Sequence, residues 1–124
     1  DRQEGGVLAV HETTAAACLS PYQLPQECGN RGQVRWLEVT DEARRGLRVR
    51  MTDQPLEISV LPHSAAELEA AIHQDELADT NYTYLDVAMR RNGIAGDDSW
   101  GAPVLDEYRF KAGKYSFSFD LELM

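Results

Sequence analysis

Cysteine is scarce, basic charge is in deficit and long apolar runs are missing, and each shortage closes a class of function. Only Cys18 and Cys28 occur among 124 residues, in no Cys-x-x-Cys pair and no Cys/His array, so neither a zinc site nor a disulfide framework can be written. Asp and Glu number 21 against 12 Lys and Arg, a formal net charge of -9. Phosphate binding relies on clustered cations, so this balance argues against a nucleic-acid partner and fits a soluble protein with a neutral ligand. No apolar stretch approaches the ~20 residues that cross a bilayer, which argues against a membrane partner. The opening Asp1-Arg2-Gln3-Glu4 lacks the character of a signal peptide, and no Met stands first, so a processed or excised piece is expected. There is no phosphate-cradling Gly-Lys-Ser run and no nucleophile elbow around Ser20 or Ser99. His11, His63 and His73 are scattered without i+4 partners, and surface or capping positions are expected for them.

What is present suffices for one domain spanning residues 1–124. With 43% hydrophobic residues, a compact chain of this length buries roughly two-thirds of its unfolded surface. Before Leu24, the stretches Val7-Leu8-Ala9-Val10 and Ala15-Ala16-Ala17 each read as an edge strand or a loop, and Gly29-Asn30-Arg31-Gly32 reads as a turn. Three closely spaced β segments follow: Val34 to Val39, Leu47 to Met51 and Leu56 to Leu61. Their short connections imply antiparallel neighbours. Leu47, Val49 and Met51 alternate with Arg48 and Arg50, the period of a strand with one face in a core. Trp36 lies within the first segment, where burial is the expectation. Ser64-Ala65-Ala66-Glu67 is a capping box that opens a short helix to about His73, with Leu68 and Ile72 on one face. Strands are predicted for Tyr82 to Met89, for Glu107 to Phe110, and for Tyr115 to Leu123 after the turn Lys111 to Lys114. The sum is a mainly β chain, an antiparallel β-sandwich with one short helix, because single-faced strands bury their apolar side against a second sheet.

Between two predicted strands runs Gly93-Ile94-Ala95-Gly96-Asp97-Asp98-Ser99-Trp100-Gly101-Ala102-Pro103. Gly93, Gly96 and Gly101 permit backbone angles closed to other residues and Pro103 blocks a ladder bond, so the segment leaves the sheet as a shaped loop. Trp100 has two readings here: a core plug, or a stacking platform whose face meets the C–H side of a sugar or another ring. Asp97 and Asp98 suggest a catalytic pair, but glycosidase acids flank a bond from positions about 5 Å or more apart, whereas adjacent residues in extended backbone point to opposite faces. The simpler reading has them accept hydrogen bonds from loop amides. Arg44-Arg45 and Arg90-Arg91 read as turn or surface pairs, or as contacts for an acidic partner surface.

Two motifs resemble a known family. Pro21-Tyr22, Pro25-Gln26-Glu27-Cys28-Gly29-Asn30-Arg31 and Val34-Arg35-Trp36 are similar to a Pro-Gln-Glu-x-Gly-Asn-Arg run entering a Val-Arg-Trp strand. Thr83-Tyr84-Leu85-Asp86, Gly93 through Pro103 and Glu107-Tyr108-Arg109 resemble a Gly-Val-Gly-Gly-Asp-Asp-Ser-Trp-Gly ending. Both belong to the C-terminal, small-chain β-sandwich domain of bacterial glycoside hydrolase family 2 β-galactosidases. Ala95 stands where that pattern has Gly, and Cys28 where it often has Asn. The resemblance implies part of a galactose-mutarotase-like sandwich, begun in mid-domain at Asp1-Arg2, beside a catalytic barrel or large subunit that hydrolyses β-galactosides such as lactose. It implies no catalytic residue and no metal ligand in this chain, the family's Mg and Na being bound mainly by other domains. Trp100 is then the substrate-binding residue, with Gly93, Gly96, Asp97, Asp98 and Gly101 shaping its loop. It further implies a bacterial, cytoplasmic setting and an isolated chain that self-associates. The rival reading is a free-standing carbohydrate-binding module.

Overall fold

The computed structural model describes residues 2–3, 8–98 and 100–124; Asp1, residues 4–7 and Ser99 lie outside it, and with them part of the Val7-Val10 stretch and one residue of the glycine loop. Two sheets form a mainly β sandwich. The first is four-stranded, in the order β1 (Arg2–Gln3), β2 (Asn30–Val34), β5 (Leu56–Leu61), β6 (Tyr84–Ala88); the second has β3 (Trp36–Thr40), β4 (Gly46–Met51) and β7 (Phe119–Leu123). Every pairing is antiparallel except the β1 edge, which runs parallel to β2.

Strand β5 occupies the centre because it is buried on both faces. Leu56 and Ile58 meet Val49 of β4 between the sheets, with Val34, Leu37, Met51, Val60, Leu85 and Val87 packed around them. The alternation in β4 is as expected: Val49 is buried while Arg48 donates outward to Glu38 at 2.7 and 2.9 Å and to Glu122 at 3.3 Å. A second core joins Cys18, Cys28, Leu61 and Leu68. Both cysteines are buried free thiols.

Several boundaries differ from the sequence reading. The segment Val34 to Val39 is not one strand: it breaks at Arg35, and the chain passes from the first sheet to the second. Gln33 at φ 58° and a register shift between Arg31 and Val34 turn this corner. Residues Asn30 to Gly32, read as a turn, are already inside β2. Trp36 is half exposed instead of buried, because it shares the outer face of the three-stranded sheet with Glu38, Arg48 and Arg50 while Leu37 points inward.

The alanine patch forms a helical turn, α1 (Ala15–Cys18), capped by the Thr14 side chain accepting from the Ala17 amide at 3.2 Å. Alanine's helix propensity and that cap outweigh the extended alternatives. The expected capping box is present at α2 (Ala65–Ala70), with Glu67 accepting the Ser64 amide and hydroxyl, both at 2.7 Å. Leu68 is buried as expected, but the helix ends at Ala70 and leaves Ile72 exposed beyond it. His63, expected at a surface or capping position, is buried, whereas His73 is exposed at the N-cap of a short 3-10 turn and contacts Glu76 at 3.2 Å.

Two predicted strands are not formed as drawn. Glu107 to Phe110 contains a 3-10 turn, Asp106–Tyr108, in place of a strand. Only Phe119 to Leu123 of the last alternating run pairs, because β4 ends at Met51, directly opposite Phe119. On β7, Phe119, Leu121 and Leu123 face the same way as Met51, Val49 and Leu47, yet Leu121 is 60% exposed where its partner Val49 is 1% exposed. The apolar face of β7 therefore overhangs the first sheet.

Candidate functional site

The glycine-punctuated segment leaves β6 and returns toward β7 as a loop with a closed neck. Gly93 donates its amide to the Tyr108 carbonyl at 2.7 Å, Asn92 accepts the Phe110 amide on Oδ1 at 2.9 Å, and Arg90 donates Nη2 to the Arg109 carbonyl at 3.0 Å. The Arg90 guanidinium also lies over the Phe110 ring, 4.2 Å from its centroid, and Phe110 meets Tyr115 edge to face at 5.3 Å. These contacts pin residues 90–93 to residues 108–110, so the intervening chain projects from a fixed base.

Inside the loop the limbs run close together. A Cβ at Gly93 would stand 2.5 Å from Val104 Cγ1 and 2.8 Å from Tyr108 Cβ; one at Gly96 would meet the Pro103 and Ala102 carbonyl oxygens at 2.5 and 2.6 Å. Glycine is required at both positions by this close approach, with φ in the ordinary range. The left-handed positions are Gly101, at φ 95°, and Ala95, at φ 62°, where a methyl group carries the strain that the resembling pattern avoids with Gly.

Asp98 organises the tip. Its Oδ1 accepts the Trp100 amide at 2.8 Å and the Ala102 amide at 3.2 Å, an Asx-type turn that uses the carboxylate as a structural acceptor. Asp97 is exposed beside it. Between them stands the consequence: Trp100 is 92% exposed, and the core-plug reading does not hold.

Two depressions on the described surface lie away from this loop. One is lined by Gln23, Leu24, Ile72, His73, Gln74 and Asp75; the other, about 230 Å³, by Trp36, Glu38, Arg48 and Arg50. In the latter the Glu38 carboxylate holds the Arg48 guanidinium above its ordinary pKa through a hydrogen bond and its charge. Trp100 is a projecting apolar surface. Among the described residues no group of three or more His, Cys, Asp or Glu could hold a metal ion, and no helix is long and apolar enough to cross a membrane.

Arg91 was read from sequence as a turn or surface residue, and the structure places it otherwise. Its Nε donates to Asn30 Oδ1 at 3.1 Å, while its two terminal nitrogens pair with Glu27 and Asp86. Asn30 in turn donates to Glu57 Oε2 at 2.6 Å, and both of these residues are buried. Glu27 and Asn30 come from the first motif and Asp86 from the second; Arg91 lies in the gap between two parts of the second, two residues before Gly93. One signal for this junction lay in the sequence: Arg91 is a cation immediately before the loop, in a chain whose two motifs both carry carboxylates.

Comparison with known proteins bears on this geometry. Residues 1–121 match the family described as the β-galactosidase small chain. The chain is 42% identical over 122 residues to a β-galactosidase of Halalkalibacterium halodurans, covering 98% of this chain and 12% of that protein. It is 42% identical over 114 residues to a β-galactosidase of Lactobacillus delbrueckii subsp. bulgaricus, covering 92% of this chain and 11% of that one. A β-galactosidase small subunit of Latilactobacillus sakei is 34% identical over 122 residues, 90% of this chain and 38% of that subunit. The chain therefore spans only a small part of the curated relatives it matches. With the family model covering nearly its whole length, the chain belongs to the β-galactosidase small-chain family.

Proposed function

We propose that this chain is a noncatalytic part of a family 2 β-galactosidase and lends Trp100 to a sugar site built mainly by a catalytic partner domain or large subunit. The observation that carries the reading is the near-complete exposure of Trp100 at the tip of a loop whose neck and turn are hydrogen-bonded. An indole held this way offers a flat apolar face to the C–H side of a galactoside, including the leaving-group or acceptor end. Asp98 is committed to the Trp100 and Ala102 amides, which is the work of a turn and not of an acid/base pair. The chain alone is expected to be inactive.

The test uses the assembled enzyme, this chain together with its catalytic partner. Trp100→Ala should weaken binding of a nitrophenyl β-galactoside or lower transfer to an added acceptor, with Trp100→Phe retaining part of both. Kinetics indistinguishable from wild type for the Ala variant would refute the platform role. Calorimetry of the chain alone with galactose and lactose separates the carbohydrate-binding-module reading, which requires useful affinity without a partner. The overhanging apolar face of β7 is surface that the partner would cover.

A further inference from the structure

We propose that Arg91 is a positioning residue for Trp100, acting through a charged clamp between the sheet and the outgoing limb of the loop; this rests on the reading of Trp100 as a sugar platform. Residues 90–92 form a splice whose side chains divide between two jobs. Arg90 and Asn92 bind the returning limb at Arg109 and Phe110. Arg91, between them, reaches the opposite way, as alternate residues of extended backbone do. It engages Asn30 of β2, Asp86 of β6 and the Glu27 segment that precedes β2.

The anchorage continues into the interior. Asn30 and Glu57 are 6% and 3% exposed, and the 2.6 Å bond between them fixes the Asn30 amide so that its oxygen is presented to Arg91. The path runs from a buried carboxylate on the central strand, through Asn30 and Arg91, to the neck of the loop. Arginine suits this task because its planar fork can serve three acceptors at once, which a lysine ammonium on a single flexible stem cannot do in the same plane. Glu27 and Asp86 are each more than half exposed, and ion pairs of that kind add little to stability. What the clamp supplies is direction. From Gly93 to the indole the chain can reach at most about 25 Å, so a tilt of about 5° at the neck moves Trp100 by about 1 to 2 Å, and misplacement on that scale can cost up to about 100-fold.

A double-mutant cycle in the assembled enzyme tests this, using Arg91→Met, Trp100→Ala and the combination, with Arg91→Lys as the milder variant. Arg91→Met is expected to raise KM for a nitrophenyl β-galactoside about 3- to 10-fold with a smaller change in kcat, and Arg91→Lys to recover part of the loss. In the Trp100→Ala background either Arg91 substitution should add less than about twofold, because the clamp acts through the indole. An Arg91 effect that persists in full without Trp100, or an unchanged KM in both Arg91 variants while Trp100→Ala alters it, overturns the clamp and leaves the platform standing. A silent Trp100→Ala overturns the platform itself. Should Arg91→Met fail to assemble, the Arg91→Lys arm of the cycle carries the same two opposed outcomes.

Discussion

A single methyl group at Gly96 should displace Trp100 without removing any polar or aromatic group. Its Cβ would stand 2.5 Å from the Pro103 oxygen, 2.6 Å from the Ala102 oxygen and 2.8 Å from the Ala102 carbonyl carbon, all backbone atoms of the returning limb. Backbone cannot swing aside as the end of a side chain can. The limbs must part until these contacts reach an ordinary 3.4 Å, a movement of about 1 Å. That movement pulls on the two bonds from Asp98 to the Trp100 and Ala102 amides, at 2.8 and 3.2 Å, and the longer has little reserve before it ceases to be a hydrogen bond. Strain of this kind costs about 1 to 3 kcal/mol locally. Gly101→Ala is the matched control, since no atom lies within 4 Å of its Cβ and only the φ of 95° opposes the substitution; its cost is about 1 to 2 kcal/mol of left-handed strain. In steady-state assays of the assembled enzyme with a nitrophenyl β-galactoside, Gly96→Ala is expected to raise KM or depress acceptor transfer about 10-fold or more, and Gly101→Ala several-fold less. The strain should also lower the thermal midpoint, so the kinetics are compared well below it. Wild-type kinetics in Gly96→Ala would refute the inference that the closely set limbs aim the indole.

Other expectations reach the rest of the molecule. Leu56→Ala removes a fully buried side chain at the meeting of both sheets, and denaturant titration should register a loss of about 2 to 5 kcal/mol; a loss under 1 kcal/mol would mean the sheets do not share that core. Ala95→Gly should be nearly neutral in thermal unfolding, because relief of strain at φ 62° offsets the usual glycine penalty of about 1 kcal/mol; a clear destabilisation would contradict the left-handed backbone there. The Glu67 carboxyl is held below its ordinary pKa of 4.5, first by the Ser64 amide and then by the Ser64 hydroxyl. Its folded value being depressed, the stabilisation is complete above the ordinary value and fades as pH falls through the folded one. The gap in melting temperature between wild type and Glu67→Gln should therefore close on acidification from about pH 7 to about pH 3, and a gap independent of pH would sink the assignment. Finally, the chain without its partner should self-associate through the bare face of β7, and Leu121→Glu should shift sedimentation toward monomer; a wild-type chain that stays monomeric across micromolar concentrations would refute this.

The elements that were legible from sequence are those specified by a local rule. Leu47 to Met51 alternates strictly and forms β4; Ser64 and Glu67 satisfy both halves of a capping box and form α2. What was misread depends on contacts distant in the chain. The corner at Arg35 exists because one sheet ends and another begins, and the composition of Val34 to Val39 is that of a strand on either side of it. Tyr115 to Leu123 alternates along its whole length, but a ladder extends only as far as its partner, and β4 stops opposite Phe119. Trp36 shows the same limit: its strand was identifiable, but which face turned inward was decided by Leu37 and Val39 packing across from Val49 and Leu47.

The loop divides along a similar line. Its punctuation announced a projecting segment, and the Asx-type role of Asp98 follows from residue spacing, so the tip could be read locally. Its orientation could not, because that depends on Arg91 meeting Glu27 and Asn30, more than sixty positions earlier in the chain. Seen alone, Arg91 is one of two adjacent cations in an acidic chain. Seen with a buried Glu57 and the amide of Asn30, it ties Asn30 of the first motif to Asp86 of the second. Glu27, Asn30 and Asp86 form the socket on the sheet, and Arg91 is the root of the arm fitted into it. A tryptophan left 92% exposed at the end of such an arm gains nothing for the fold of its own chain, since exposed indole contributes no burial. On the proposed reading that placement has a rationale: another surface, with a ligand between the two, takes the indole out of water.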